Sequence, residues 1–149
     1  MGISKFNPEG YHDPTAHGAL TSIEADQLEA RWRETTLSQR VYRPMVYICS
    51  PYSGDIAYNE RKARMYSRFA VLQGAIPITP HLLYPQFMDE NDPSERELGL
   101  FFGMVLLTKC EQLWVFGNVI SSGMDKEIRK AKSKGIPVRY FAEECAEAK

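Results

Sequence analysis

"MVYICSPYSGD", Met45 to Asp55, joins a short, β-favouring apolar run to a Pro/Ser/Gly turn and then to an aspartate suited to start a helix. It reads as strand, loop, helix. Beyond Asp55, Ala63, Tyr66 and Ala70 recur at the spacing of one buried helix face, and Gly74 supplies a stop. "AIPITP", 75–80, is a second short apolar run closed by proline. A complete βαβ unit is therefore predicted between Met45 and Pro80.

The alternation continues downstream. After "HLLYPQFMDENDP", 81–93, Ser94 and Glu97 have the spacing of a capping box, and apolar residues run on to Leu107. "QLWVFG", 112–117, is the third predicted strand. "ISSGMDKEIRKAKSKG", 120–135, is an amphipathic helix with Met124, Ile128 and Ala131 on its apolar stripe and Gly135 at its end. "IPVRYF", 136–141, is the fourth strand. Strands alternating with helices imply a parallel sheet covered on both faces. The expected fold is α/β, a Rossmann/flavodoxin-like three-layer sandwich with a mostly parallel sheet of four to five strands.

Upstream, Met1 to Pro44 is polar and holds two of the three histidines. Asp13-Pro14-Thr15 is a capped helix start, and "LTSIEADQLEARWRETTL", 20–37, loosely keeps helical spacing. Residues 1–44 are read as a helical arm that docks on the domain, 45–149, or on a neighbouring subunit. No chemistry is evident in it.

Composition narrows the function classes. The 149 residues, 44% hydrophobic and 25% charged, suit one domain with one core. The 18 Lys and Arg are scattered among 19 Asp and Glu, so no basic stripe marks a nucleic-acid polymer as partner. Cys49, Cys110 and Cys145 form no C-x-x-C pair and no charged-then-apolar leader precedes them, which points to a reducing cytoplasm. No apolar run approaches the roughly 18 residues of a membrane span. Metal-ligand spacing is lacking, and no cofactor is expected.

In open α/β sheets ligands bind outside the carboxyl ends of the strands, so the loops after Ser50, Pro80 and Phe116 become candidates for one site. "SPYSGD", 50–55, places Ser50, Ser53 and Gly54 at a helix entrance, where backbone amides and the helix dipole favour a phosphate. The plain alternative is a tight turn capped by Asp55. "GNVISSG", 117–123, offers Ser121, Ser122 and Gly123 in the same way, or a simple serine N-cap. Glu127 falls one turn inside that helix, its side chain aimed back toward the positive end. A carboxylate so placed suits a nucleophile or an oxocarbenium stabiliser; otherwise it is a solvated glutamate beside Arg129 and Lys130. His81, directly after the second strand, reaches the same rim as acid, base or phosphate donor, or serves as a structural hydrogen-bonder. Tyr47, inside the first strand, is a core residue whose phenol needs a partner and can meet Glu127.

The set "VYICS" (46–50), "ITPH" (78–81), "CEQLWVFG" (110–117) and "SSGMDKE" (121–127) resembles the nucleoside 2-deoxyribosyltransferase-like superfamily. That superfamily includes 2'-deoxynucleoside 5'-monophosphate N-glycosidases, and the resemblance is nearest to its phage-associated members. It spans Met45 to about Phe141 and leaves the arm outside. The resemblance implies that Glu127 attacks the anomeric carbon as the base departs, with Tyr47 working beside it. It places Ser121 and Gly123, six and four residues before the glutamate, around the phosphate of a monophosphate substrate, and gives His81 a part in substrate binding. It also implies homo-oligomers whose sites a neighbour completes.

One departure stands out: Gly103 occupies the place where the superfamily often has an aspartate serving the base, with Glu111 the candidate substitute. The expected function is N-glycosidic bond cleavage or transfer on a nucleoside or deoxynucleoside 5'-monophosphate. The alternatives are a nucleotide-binding sensor that has lost catalysis and an NAD glycohydrolase.

Overall fold

The run Val46–Cys49 is buried throughout, because the strand it forms lies inside the sheet and is covered on both faces. The computed structural model describes residues 22–38 and 42–148, and within them the chain alternates as expected. Helix α1 (Ser22–Ser38) is followed by β1 (Met45–Cys49), α2 (Ile56–Leu72), β2 (Ile76–Ile78) and a short α3 (Pro80–Leu83). A 3-10 turn (Tyr84–Gln86), α4 (Pro93–Thr108), β3 (Gln112–Phe116), α5 (Ser122–Ser133) and β4 (Val138–Phe141) complete it.

The four strands pair in parallel in the order β2-β1-β3-β4. Tyr47 lies between Ile78 and Leu113, so β1 is central. The chain moves to one side of β1 on leaving it and to the other after β2, which makes the β1–β3 junction the topological switch point. This is the α/β three-layer arrangement expected.

Strand period divides the core in two. Val46 and Ile48 face α2 and pack with Met65, Tyr66, Trp114, Phe116 and Phe141, where Tyr66 and Phe116 stack at 4.2 Å. Tyr47 and Cys49 face the other way, among Leu107, Leu113, Val115, Met124, Ile128 and Ala131, under α4 and α5. The second face carries the polar residues of interest.

Local signals decide the element ends. Asp55 caps α2 by accepting from the Tyr58 amide at 3.1 Å, and Gly74, Gly117 and Gly135 adopt the positive φ that closes a helix or turns a strand outward. The cap of α4 differs from expectation. Asp92, not Ser94, takes it, accepting from the Ser94 amide at 2.9 Å, because Pro93 is preset for the first helical position and needs no N–H partner there. Most of α3 and the 3-10 turn fall in the 81–93 connection, each with a proline, Pro80 and Pro85, in its first two residues that the sequence reading took as punctuation.

Helix α1 packs on α2 and buries Ala25 and Glu29. The predicted start at Asp13-Pro14-Thr15 lies outside the described residues. Among the described residues, no helix is long and apolar enough to cross a membrane.

Candidate active site

The centre of the site is a contact between β1 and α5. Ser121 caps α5, its Oγ accepting from the Met124 amide at 3.2 Å, which fixes the helix start beside the carboxyl end of β3. Glu127 then lies on the inner side, between the buried positions Met124, Ile128 and Ala131, and is itself only 7% exposed. The solvated-glutamate alternative is thereby removed. Arg129 closes on Asp125 at 2.8 Å on the exposed side.

Tyr47 brings its phenol to the Glu127 carboxyl from mid-strand, and Cys49, two residues on and on the same face, brings its thiol. Burial pushes the Glu127 carboxyl up to about 7, and the hydrogen bonds from Cys49 and Tyr47 pull in the opposite direction. The Tyr47 phenol is held well above its usual range, first by burial and then by the charge on Glu127, so it stays protonated and donates. Glu127 Oε2 is buried without a hydrogen-bond partner.

Gly103, on α4, is the floor of this arrangement. A Cβ there would stand 3.1 Å from the Tyr47 hydroxyl and 3.9 Å from the Pro80 ring. The tyrosine hydroxyl thus lies against the backbone at Gly103. Glu111, the candidate acid of the sequence reading, stands away from this arrangement. It lies at the amino end of the sheet, beside Met45, and bonds Tyr42.

The loop after β1 supplies the second part. Ser50 is buried, and its Oγ has no partner. Its carbonyl accepts from His81 Nε2 at 3.1 Å, which assigns the proton to that nitrogen. Burial holds His81 below its ordinary value despite that bond, so at neutral pH the ring is uncharged and its remaining nitrogen is an acceptor. In the unliganded protein His81 thus serves as a donor to the Ser50 carbonyl. Ser53 and Gly54 are exposed at the entrance to α2, with Gly54 at φ 99°. Gly123 is exposed at the entrance to α5. These two entrances follow the neighbouring strands β1 and β3 and so flank the switch point.

Three residues of the site escaped the sequence reading. Cys49 was treated only as a free thiol, although its two-residue offset from Tyr47 puts both on one strand face. Tyr52 stacks on His81 at 4.9 Å and feels Glu90, Glu60 and Arg96, which draws the start of α4 to the same rim. Asn59 donates to the carbonyls of Tyr52 and Ser53 at 2.9 and 3.0 Å and pins the loop. Only their spacing from named motifs could have flagged them. Among the described residues, no three His, Cys, Asp or Glu gather closely enough to hold a metal ion.

Fold and site together define a doubly wound α/β protein with a buried carboxylate at its switch point. The chain belongs to the family described as a domain of unknown function, DUF7768, whose match covers residues 44–141. Comparison with curated proteins gives no match. Among solved structures, it is similar to the 2-deoxyribosyltransferase of the psychrotolerant bacterium Bacillus psychrosaccharolyticus. The TM-score is 0.52 at 16% identity, over 66% of this chain and 72% of that one. The likeness is one of fold.

Proposed function

We propose that the protein cleaves or transfers the N-glycosidic bond of a nucleoside or deoxynucleoside 5'-monophosphate, with Glu127 as nucleophile. The observation that carries this is the buried Glu127 carboxyl, 7% exposed on the inner side of α5, with Tyr47 and Cys49 acting on it from β1. In the first step a Glu127 oxygen bonds to the anomeric carbon while the C–N bond breaks, and its electron pair leaves with the base, which takes a proton from solvent. In the second, water or another base attacks the anomeric carbon, and the ester to Glu127 breaks. Tyr47 orients the carboxylate and accompanies its change of charge. Ser121 uses an acceptor lone pair for its cap and keeps its hydroxyl proton to donate. With the amides near Gly123, and with Ser53 and Gly54 across the switch point, it suits the 5'-phosphate.

Chromatography after incubation with each deoxynucleoside 5'-monophosphate, the matching nucleosides, ribonucleotides and NAD tests this. Free base from a monophosphate, lost in Glu127→Ala, is expected; an active Glu127→Ala protein would sink the reading. A second reading, a nucleotide-binding protein without turnover, is favoured by Gly103, which leaves no acid at the superfamily's usual position. Calorimetric binding of a monophosphate with no base released would establish it.

We further infer a homo-oligomer in a cytoplasmic setting, with residues 1–44 as an arm on the 45–149 domain. Supporting the first, Leu98, Phe101 and Val105 line one face of α4 and are exposed, Phe101 by 61%. The three buried free thiols are in keeping with a reducing compartment. The phage-associated branch of the superfamily remains the family-level proposal.

A further inference from the structure

The four-stranded sheet has two edges, and an edge strand offers unpaired N–H and C=O groups to any further strand. The β2 edge is blunted by its own sequence. Ile76 donates to the Pro44 carbonyl at 2.8 Å on the β1 side, so the nitrogen of the next residue faces outward, and that residue is Pro77, which has no N–H to offer. The β4 strand contains no proline. The Leu113 and Gly117 amides donate to the Pro137 and Phe141 carbonyls, so these residues face β3, while the alternate ones, Tyr140 and Ala142, face outward. The chain itself fills that edge. Ala148 donates to the Tyr140 carbonyl at 2.8 Å, Ala142 donates to the Ala146 carbonyl at 2.7 Å, and Phe141 and Glu147 stand opposite each other as an antiparallel pair.

The return is held at three points. Cys145 donates its amide to the Ala142 carbonyl at 2.9 Å and adopts φ 68°, the left-handed position that closes a three-residue hairpin loop and usually takes glycine. A cysteine stands there with its side chain buried in the cluster of Val46, Trp114 and Phe141, which anchors the loop. Glu147 lays both carboxylate oxygens on Arg139, at 2.6 and 3.1 Å, and the Arg139 guanidinium lies over the rings of Trp114 and Phe141. At the loop, Glu143 accepts from Tyr58 and pairs with Lys62 of α2 at 3.4 Å. We propose that residues 142–148 guard the outer edge of β4, occupying the groups through which a second copy of this chain would otherwise add a strand. A second copy is the partner kept out, because every chain carries the segment 146–148 and could make the same bonds in trans. Nothing in this guard depends on the reaction at Glu127.

The test uses the full-length protein carrying Phe101→Glu, so that the apolar face of α4 takes no part. Amide hydrogen exchange should find Ala142 and Ala148 protected in it, with the β1 amides as the check that the fold is intact. Glu147→Lys sets a like charge against Arg139, and Ala148→Pro separately removes the donor to Tyr140. In each, exchange at Ala142 should speed toward the open-chain rate in dilute solution. As concentration rises, the particle mass from light scattering should at least double and the protection return. Arg139→Glu added to Glu147→Lys restores the pair with its signs reversed, and should bring back both the protection and the starting mass. Ala142 exchanging freely in the starting protein, protection unmoved by either substitution, an opened edge at unchanged mass, or association that leaves Ala142 unprotected overturns the proposal.

Discussion

Glu127 carries a charge the fold would prefer not to bury, and its titration links stability to activity. Its folded-state value of about 7 lies above the 4.5 of an ordinary glutamate, so between those two pH values the folded chain holds a proton the unfolded chain has lost. Stability contributed by this group therefore falls as pH rises through that window. The penalty at pH 8 is about 3 kcal/mol from the size of the displacement. Glu127→Gln should accordingly be the more stable protein at pH 8 and lose its advantage toward pH 4.5, as urea unfolding at several pH values would show. An advantage independent of pH would mean that Glu127 titrates alike in the folded and the unfolded chain. Activity has the opposite slope. If the ionised carboxylate attacks, kcat/KM should rise with pH through about 7 and then level off. A profile falling through that range would make Glu127 an acid instead.

At the scale of elements, two turns of helix hold the chemistry. Ser121→Ala removes the side-chain cap of α5 and should cost about 1 kcal/mol of stability. It should also raise KM for a monophosphate more than for the matching nucleoside; equal effects on both would detach Ser121 from phosphate. Gly103→Ala gains helix propensity of about 1 kcal/mol but brings a methyl to 3.1 Å from the Tyr47 hydroxyl. Stability should change little while turnover falls at least about tenfold, the phenol being displaced from Glu127. Unchanged turnover would show that the hydroxyl has room to spare. Much of this was legible beforehand: Ser121 as a cap, Glu127 on the inner side of α5, and Tyr47 within reach follow from helical and strand period. The packing of Gly103 on the phenol was not, because it joins three segments remote in sequence. The hydrogen bond that turns His81 toward the Ser50 carbonyl was hidden for the same reason.

Across the whole molecule, the order β2-β1-β3-β4 is what gathers these residues, since it sets the loops after β1 and β3 side by side. Alternating strands and helices announced a parallel sheet, but strand order is a long-range property that local patterns do not encode. The cap at Asp92 and the helix Pro80–Leu83 went unread because proline marks both turns and helix starts. The exposed face of α4 bears on assembly: light scattering should give more than one chain per particle, and Phe101→Glu should reduce it to the monomer. A wild-type monomer at working concentration would show that face to serve something other than self-association. The most direct test of the central claim is rapid-quench mass spectrometry on the protein with the nucleoside monophosphate that it turns over. A sugar-phosphate adduct mapped to the peptide holding Glu127, absent from Glu127→Gln, is the predicted result. Base release without any adduct, or with the adduct on another residue, would contradict it.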